Sequence, residues 1–331
     1  MTSNAPVLLN RYTVPLEQAL RSALHGDSLL HPVLRYHVGL EDERGASRNR
    51  LGKLLRPSLV LFTCERLGGR LDRALQAAVA LELVHNFSLI HDDIQDKDPT
   101  RRGCPTVWTR IGIAQAINAG DLLHSMAIGE ILECGTEALG VLNQATTAMI
   151  EGQAMDLSFE ERHVDAAEYL EMIDRKTGAL LRCAFELGAI CADAPAAVRD
   201  KLVSFGRHVG RAFQIRDDML GIWGDPAITG KPRGSDIRRR KKSFPIAHAF
   251  EHADAEDRAA LTSVYAAGSI DDGQVSTVMS ILQQTHTRRQ SEVHVHSDLQ
   301  QAETILESLP FEPSGKDEMR ELVAFLARRD K

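Results

Sequence analysis

The sequence predicts an all-α fold, and three observations predict it. Ala and Leu are plentiful while aromatics make up only 5% of the chain, so the residue types that favour strands are scarce. Long stretches, 71–96 above all, carry no Gly or Pro and are apolar over most of a helical circumference. No convincing two-residue alternation interrupts them.

By length alone, 331 residues suggest about two domains. No linker-like stretch divides them, so the chain reads as one domain over 1–331, with a motif-bearing core at 52–245 and further helices at 246–331. A net charge of −7 offers no bulk attraction to nucleic acid. The start, MTSNAPVLLNRYTVP, lacks the basic and apolar regions of a signal peptide, and no apolar run approaches the roughly 20 residues that span a bilayer. Cys64, Cys104, Cys134, Cys183 and Cys191 are scattered, odd in number and without CxxC spacing, which points to a reduced cytoplasmic protein lacking structural zinc.

Residues 15–24 predict a first amphipathic helix, and 31–50 contains a polar, charged loop with GLEDERGASRNR at its heart. GKLLRP then leads into the apolar helix SLVLFTCERLG, with Pro57 suited to its first turn and Gly68-Gly69 closing it. Lys53 and Arg56 precede that helix at the end a phosphate favours, although two solvated cations would look the same. The helix from about 71 ends in Asp92, Asp93 and Asp96. Asp92 and Asp96 lie one turn apart, with His85 and Ser88 below them on the same stripe. An acidic helix end is ordinarily a solvated surface. Here it tops a helix whose pattern demands burial, and buried carboxylates need partners. Mg²⁺ suits them, because it takes one or two carboxylates and completes its shell with water and phosphate oxygens. Arg101 and Arg102 follow at once, fit to grip phosphate.

A helix from about 111 and another over 137–159 come next, the second carrying Gln153 and Asp156 on one side. The helical region 165–191 is weakened at Lys176-Thr177-Gly178. Residues 203–222 form the second informative helix, with Gln214, Asp217, Asp218 and Gly221 on one side, a second acidic turn. The Gly-, Pro- and cation-rich stretch 224–245 reads as a loop with lid character. Its basic run, Arg238 to Lys242, adjoins Asp236 and suits phosphate closure better than nucleic acid, given the acidic chain and the absence of neighbouring aromatics. Beyond it, 268–274 predicts a turn, His286, His294 and His296 read as surface residues, and 318–329 as a final helix.

Seven motifs in order carry a resemblance: GKLLRP, LVHNFSLIHDDIQD, RRGCPT, GQAMD, KTG, FQIRDD and GKPRGSDIRRRKKSFP. Together they resemble the trans-isoprenyl diphosphate synthases of the polyprenyl synthetase family, over about 52–245. The resemblance implies a bundle of antiparallel helices around a deep cavity, usually a homodimer, with the two acidic motifs facing each other across its mouth. It implies Mg²⁺, about three ions, held by Asp92, Asp96 and Asp217, with Asp93 and Asp218 as supporting acids. Arg101, Lys176, Thr177, Gln214, Lys231 and Lys241 match the family's grip on the allylic diphosphate, and Lys53, Arg56, His85 and Arg102 its pocket for isopentenyl diphosphate.

Two departures bear on function. The second motif reads DDMLG, so Gly221 stands where the family pattern has an acid, and Gly224 makes a substitute role for Asp225 doubtful. The first motif lacks an insertion and has Phe87 five positions before Asp92, a pattern that resembles geranylgeranyl diphosphate synthases. Phe87 would sit roughly 7 Å below Asp92 on a helix, placed to stop a growing chain, with small Ser88 beside it. A C20 product is expected, with C15 as the alternative. A terpene cyclase on the same scaffold would not need the Lys53, Arg56, His85 and Arg102 set. A non-catalytic partner subunit would lose the acids that this chain largely keeps.

Overall fold

A computed structural model describes residues 6–48, 50–160, 162–229 and 232–328. The fold is all-α, as expected, apart from one short hairpin. The chain opens with α1 (Val7–Arg11), α2 (Thr13–Ala23) and α3 (His31–Val38). The last was not singled out in the sequence, and it ends where the predicted charged segment GLEDERGASRNR begins. Leu34, Tyr36 and Val38 bury one side of it, and Gly39, at φ +94°, closes it in the left-handed conformation. In α4 (Leu55–Arg66) every residue from Pro57 to Cys64 is buried. In α5 (Leu71–Gln95) burial is nearly continuous from Ala77 to Val84 and resumes at Asn86, Phe87 and Ile90. Its all-round apolar pattern thus reflects all-round packing.

The strands β1 (Thr100–Arg101) and β2 (Cys104–Pro105) pair antiparallel, with Arg101 opposite Cys104. Arg102 and Gly103 turn between them at φ +53° and +71°, the two positive angles a tight hairpin requires. No strand was expected here, since two residues are too few to show alternation. The helices α6 (Val107–Ile111) and α7 (Ile113–Leu132) divide at Gly112, and α8 (Thr136–Phe159) follows. Asp165 and Glu168 form a capping box that starts α9 (Ala166–Lys176). Thr177 separates it from α10 (Gly178–Cys191), where the weak point was predicted.

The second acidic helix, α11 (Ala196–Trp223), begins earlier than its pattern suggested. The following loop contains the short turns α12 (Pro226–Thr229) and α13 (Ser235–Arg238) before α14 (Phe244–His252). Next are α15 (Ala255–Ala266), α16 (Asp272–Gln284), α17 (Thr287–Ser308) and α18 (Pro313–Arg328). The predicted turn at 268–274 ends in a capping box, in which Asp271 and Gln274 start α16. The final helix starts at Pro313, because Pro is tolerated in a first turn, and Arg329 lies outside the described residues.

The chain resolves into two compact units. One comprises Met1–Thr147, Leu180–Val203 and Leu309–Glu318, the other Ala148–Ala179, Ser204–Ser308 and Met319–Lys331. In the first, α5 is the central rod, packed by α2, α4 and α7. The second has two apolar clusters, one around Tyr169, Met219 and Phe244, the other around Ile222, Ile237, Ile246 and Tyr265. Among the described residues no helix is long and apolar enough to cross a membrane, and all five cysteines are free thiols.

Candidate active site

In the first unit the acids sit where α5 ends. Asp92 is half-buried in the last turn, Asp93 is 1% exposed, and Asp96 caps the helix at the surface. Arg101, carried by β1, places Nε and a terminal nitrogen on Asp93 Oδ1, both at 2.8 Å. Asp93 Oδ2 is buried and accepts no hydrogen bond. Burial pushes the Asp93 carboxyl up, against the pull of Arg101. Such an under-satisfied acid, between two others on a turn of hard oxygen donors, fits a nearby cation. Among the described residues no three His, Cys, Asp or Glu side chains converge enough to hold a metal alone. That donor set suits Mg²⁺, which takes few protein ligands and finishes its shell with phosphate and water.

In the same unit the structure assembles Arg56, His85 and Arg102, with Lys53 next along the chain from Gly52. Arg56 donates to His85 Nε2 at 3.2 Å. Burial, then Arg56 and Arg102, hold the His85 ring well below its ordinary range, so it is neutral and can accept that bond. The Arg102 guanidinium lies on Gly52. A Cβ there would stand 2.7 Å from its terminal nitrogen, so glycine lets the hairpin turn meet the loop carrying Lys53. Leu54, at φ +47°, bends the chain into α4 at this point. Glu82, 5% exposed, accepts from Asn86 at 2.9 Å and faces the charges of Arg56 and Arg102. His37 also approaches Arg101 and Arg102. Sequence reading missed Glu82, Asn86 and His37. The available signal was a carboxylate inside a run that must be buried, since such an acid needs a cation.

In the second unit, Asp218 is fully buried and accepts from Lys241 Nζ at 2.8 Å, Gln214 Nε2 at 3.3 Å, the Phe244 amide at 3.3 Å and the Tyr169 hydroxyl. Burial alone would lower the Lys241 pKa, but Asp218 and Asp236 outweigh it and keep the ammonium charged. Thr177 donates to Gln214 at 3.0 Å, and Lys176 reaches Asp156 at 2.5 Å. Asp156 therefore joins the site that sequence reading left open to it. Asp217, beside Asp218, is half-buried. Arg101, Lys176 and Lys241 each rest on an internal carboxylate, which sets their direction. Tyr169 was missed because its partner Asp218 is distant in sequence, and Asp236, noted only as a neighbour of the basic run, was given no role. Lys231 lies outside the described residues.

Phe87 is 7% exposed, its ring 5.0 Å from His91 and 5.3 Å from His124 of α7. Its neighbour Ser88 is half-buried and bonded to the His85 carbonyl at 2.8 Å. Asp225 accepts from the Ala227 amide and starts α12, outside the acidic helix. The basic run is dispersed: Arg238 pairs with Asp272, Arg240 donates to the Ala267 carbonyl, Lys241 turns to Asp218, and Lys242 lies over Tyr265. Separate partners explain these cations better than a nucleic-acid strip. His286, His294 and His296 are exposed, as expected.

The buried imidazoles give the chain a pH signature. Burial lowers His37 to about 3 and His248 to about 4, while His85 is held well below its ordinary value. Unfolding returns each to about 6.5, so below that pH the unfolded chain binds more protons. Stability should be fully present above pH ~6.5 and be lost progressively as pH falls toward the folded values. Melting temperature should be level from pH ~7 to 8 and decline toward pH ~5. His248→Gln, which keeps a partner for Thr287, should flatten that decline by up to about one proton's worth of slope. An unaltered slope would reject the assignment for His248.

The polyprenyl synthetase family model matches residues 46–282. A protein of Mycobacterium tuberculosis named (2E,6E)-farnesyl diphosphate synthase is 38% identical over 312 residues, covering 92% of this chain and 87% of that protein. A geranylgeranyl diphosphate synthase of the same organism is 39% identical over 253 residues, covering 74% of this chain and 72% of its own length. The crystal structure of polyprenyl synthetase from Streptomyces coelicolor A3(2) superposes with a TM-score of 0.88 at 35% identity, covering 96% of this chain and 98% of that one.

Proposed function

Because this chain belongs to the polyprenyl synthetase family, we propose that it joins isopentenyl diphosphate to an allylic diphosphate and releases a product near C20. Short-chain trans-prenyl transfer is the activity its relatives support. One observation carries the two-substrate reading. Arg56, neutral His85 and Arg102 are built into one cluster, with Arg102 seated on Gly52, the residue before Lys53. A cyclase needs no second diphosphate pocket, and a non-catalytic partner has no use for the acids kept beside it.

The residues divide the work by charge. Asp92, Asp96 and Asp217 would hold Mg²⁺, about three ions, as divalent-metal use in the family suggests. When bound, the metal neutralises charge developing on the leaving diphosphate. Arg101, Lys176, Thr177, Gln214, Lys231 and Lys241 grip the allylic diphosphate, and the cations among them stabilise its charge as the C–O bond breaks. Lys53 and the cluster of Arg56, His85 and Arg102 hold isopentenyl diphosphate so that its double bond attacks the allylic carbon. A proton then leaves the condensed chain, most simply to the released diphosphate, since no side chain here is a clear base. The allylic cation needs surroundings that exclude water, which would quench it.

Phe87 is the proposed floor, with His91 and His124 fixing its ring. Phe87→Ala should lengthen the main product by at least one C5 unit, read by product chromatography. An unchanged length would remove Phe87 from this role. A C15 product is the second reading, favoured by the farnesyl diphosphate synthase name of the relative that covers 92% of this chain. We also propose a homodimer in the cytoplasm. Ile113, Ile117, Ile128 and Leu132 leave an exposed apolar stripe along α7 that a second copy would cover, and free thiols suit a reducing compartment. The overall test is a Mg²⁺-dependent assay of labelled isopentenyl diphosphate with C5, C10 and C15 primers. Absence of elongation with every primer would overturn the proposal.

A further inference from the structure

Gly221 occupies the position where the second acidic motif's pattern calls for an acid, and the structure shows what stands there instead. A Cβ built on Gly221 would meet Asp236 Oδ2 at 2.2 Å, Cγ at 2.3 Å and Oδ1 at 2.7 Å. The Asp236 carboxylate thus lies directly on the bare Cα of α11. Backbone conformation does not call for glycine, because Gly221 is helical; close approach does. The same segment is pinned to the helix by further bonds. Ser235 Oγ donates to the Gly221 carbonyl at 3.1 Å, and the Gly234 amide to the Ile222 carbonyl at 3.1 Å. Buried Ile237 anchors the segment in the apolar cluster that includes Ile222.

Asp236 in turn controls Lys241. Its Oδ2 lies 3.5 Å from Lys241 Nζ, and its carbonyl accepts from the Lys241 amide at 2.9 Å. Lys241 Nζ therefore rests between a helix carboxylate, Asp218, and a loop carboxylate, Asp236. We propose that Asp236 supplies, from the loop, the carboxylate that the helix lacks at Gly221. Asp236 is a positioning residue: it docks the loop on α11 and aims the Lys241 ammonium. Gly221 is the cradle that admits it, and a side chain there displaces the carboxylate. This deepens the prenyl-transfer reading and rests on it for the identity of the anion that Lys241 meets.

The proposal runs opposite to motif logic. If Gly221 were simply a lost acid, Gly221→Asp should improve binding. Displacement of Asp236 instead predicts that Gly221→Asp weakens binding of inorganic pyrophosphate in Mg²⁺, by calorimetry, roughly 10-fold, the scale of one charge-assisted hydrogen bond. KM for the allylic diphosphate should rise similarly, while KM for isopentenyl diphosphate stays within about 2-fold. Asp236→Asn, which keeps the shape, should give the same split. The double change Gly221→Asp with Asp236→Ser returns one carboxylate to the site, and should recover both pyrophosphate binding and metal-free melting temperature relative to Gly221→Asp alone. Tighter binding by Gly221→Asp, or wild-type pyrophosphate binding by Asp236→Asn, would overturn the proposal. A folded double variant no better than the single would do so too. Failure of the prenyl-transfer reading looks different: the unmodified protein itself would not elongate any primer, whatever the binding series shows.

Discussion

Asp92→Ala is expected to lower kcat by ~10³-fold while leaving KM for isopentenyl diphosphate within about 3-fold. The expectation follows from where the residue sits. Asp92 is half-buried at the last turn of α5, below the exposed cap Asp96 and beside buried Asp93. Asp92 and Asp96 stand one turn apart at this helix end, with Asp93 held by Arg101 between them, an array of hard oxygen donors suited to a cation carried in with a diphosphate. Charge stabilisation that exists mainly in the transition state is lost in kcat rather than in uniform binding. The residues proposed to hold isopentenyl diphosphate are different ones, so its KM should barely move. Single-turnover rates across a Mg²⁺ titration give the decisive reading. The variant should need more metal and still fall short at saturation. A kcat within tenfold of the unmodified protein would remove Asp92 from the metal set.

Much of this site was legible because it is written locally. The rod α5 shows as an apolar run without Gly or Pro, and its acids follow at helical spacing. The break at Thr177 is equally local, since Thr and Gly weaken the helix where they stand. The illegible parts depend on contacts between distant segments. Helix α3 is only eight residues long and runs into the charged loop, so tertiary burial of Leu34, Tyr36 and Val38 fixes what its own pattern does not. The hairpin that presents Arg101 and Arg102 is too short to leave a pattern. Gly221 shows the limit best. Read along the chain it is a missing acid, whereas in space it is the opening filled by Asp236. A sequence records the absence of a side chain but not what takes its room.

The same geometry makes Lys241→Met the second large effect, and here stability and activity should fall together. Asp218 is fully buried, and Lys241 is its only cationic hydrogen-bond donor among the described residues; Tyr169, Gln214 and the Phe244 amide are neutral donors. Removing one partner of a buried pair strands the other, at a typical cost of about 3–5 kcal/mol. Lys241 is itself 35% exposed, so the lower end of that range applies, about 3 kcal/mol. In thermal unfolding that should appear as a drop of at least ~5 °C. The stranded carboxylate should also take up a proton. Burial already holds the Asp218 carboxyl above its ordinary value and Lys241 opposes that, so its loss raises the carboxyl further; the variant loses more stability than the unmodified protein as pH rises from about 4 through the raised pKa, and is comparatively better at pH ~5 than at pH ~8. Adding Asp218→Asn removes the buried charge while keeping an acceptor. The double variant should regain part of the lost melting temperature and lose the new pH dependence. It should not regain prenyl transfer, because the ammonium proposed to grip the allylic diphosphate is still missing. Additive losses in the double variant would mean that Asp218 and Lys241 act independently, and that the buried acid positions nothing.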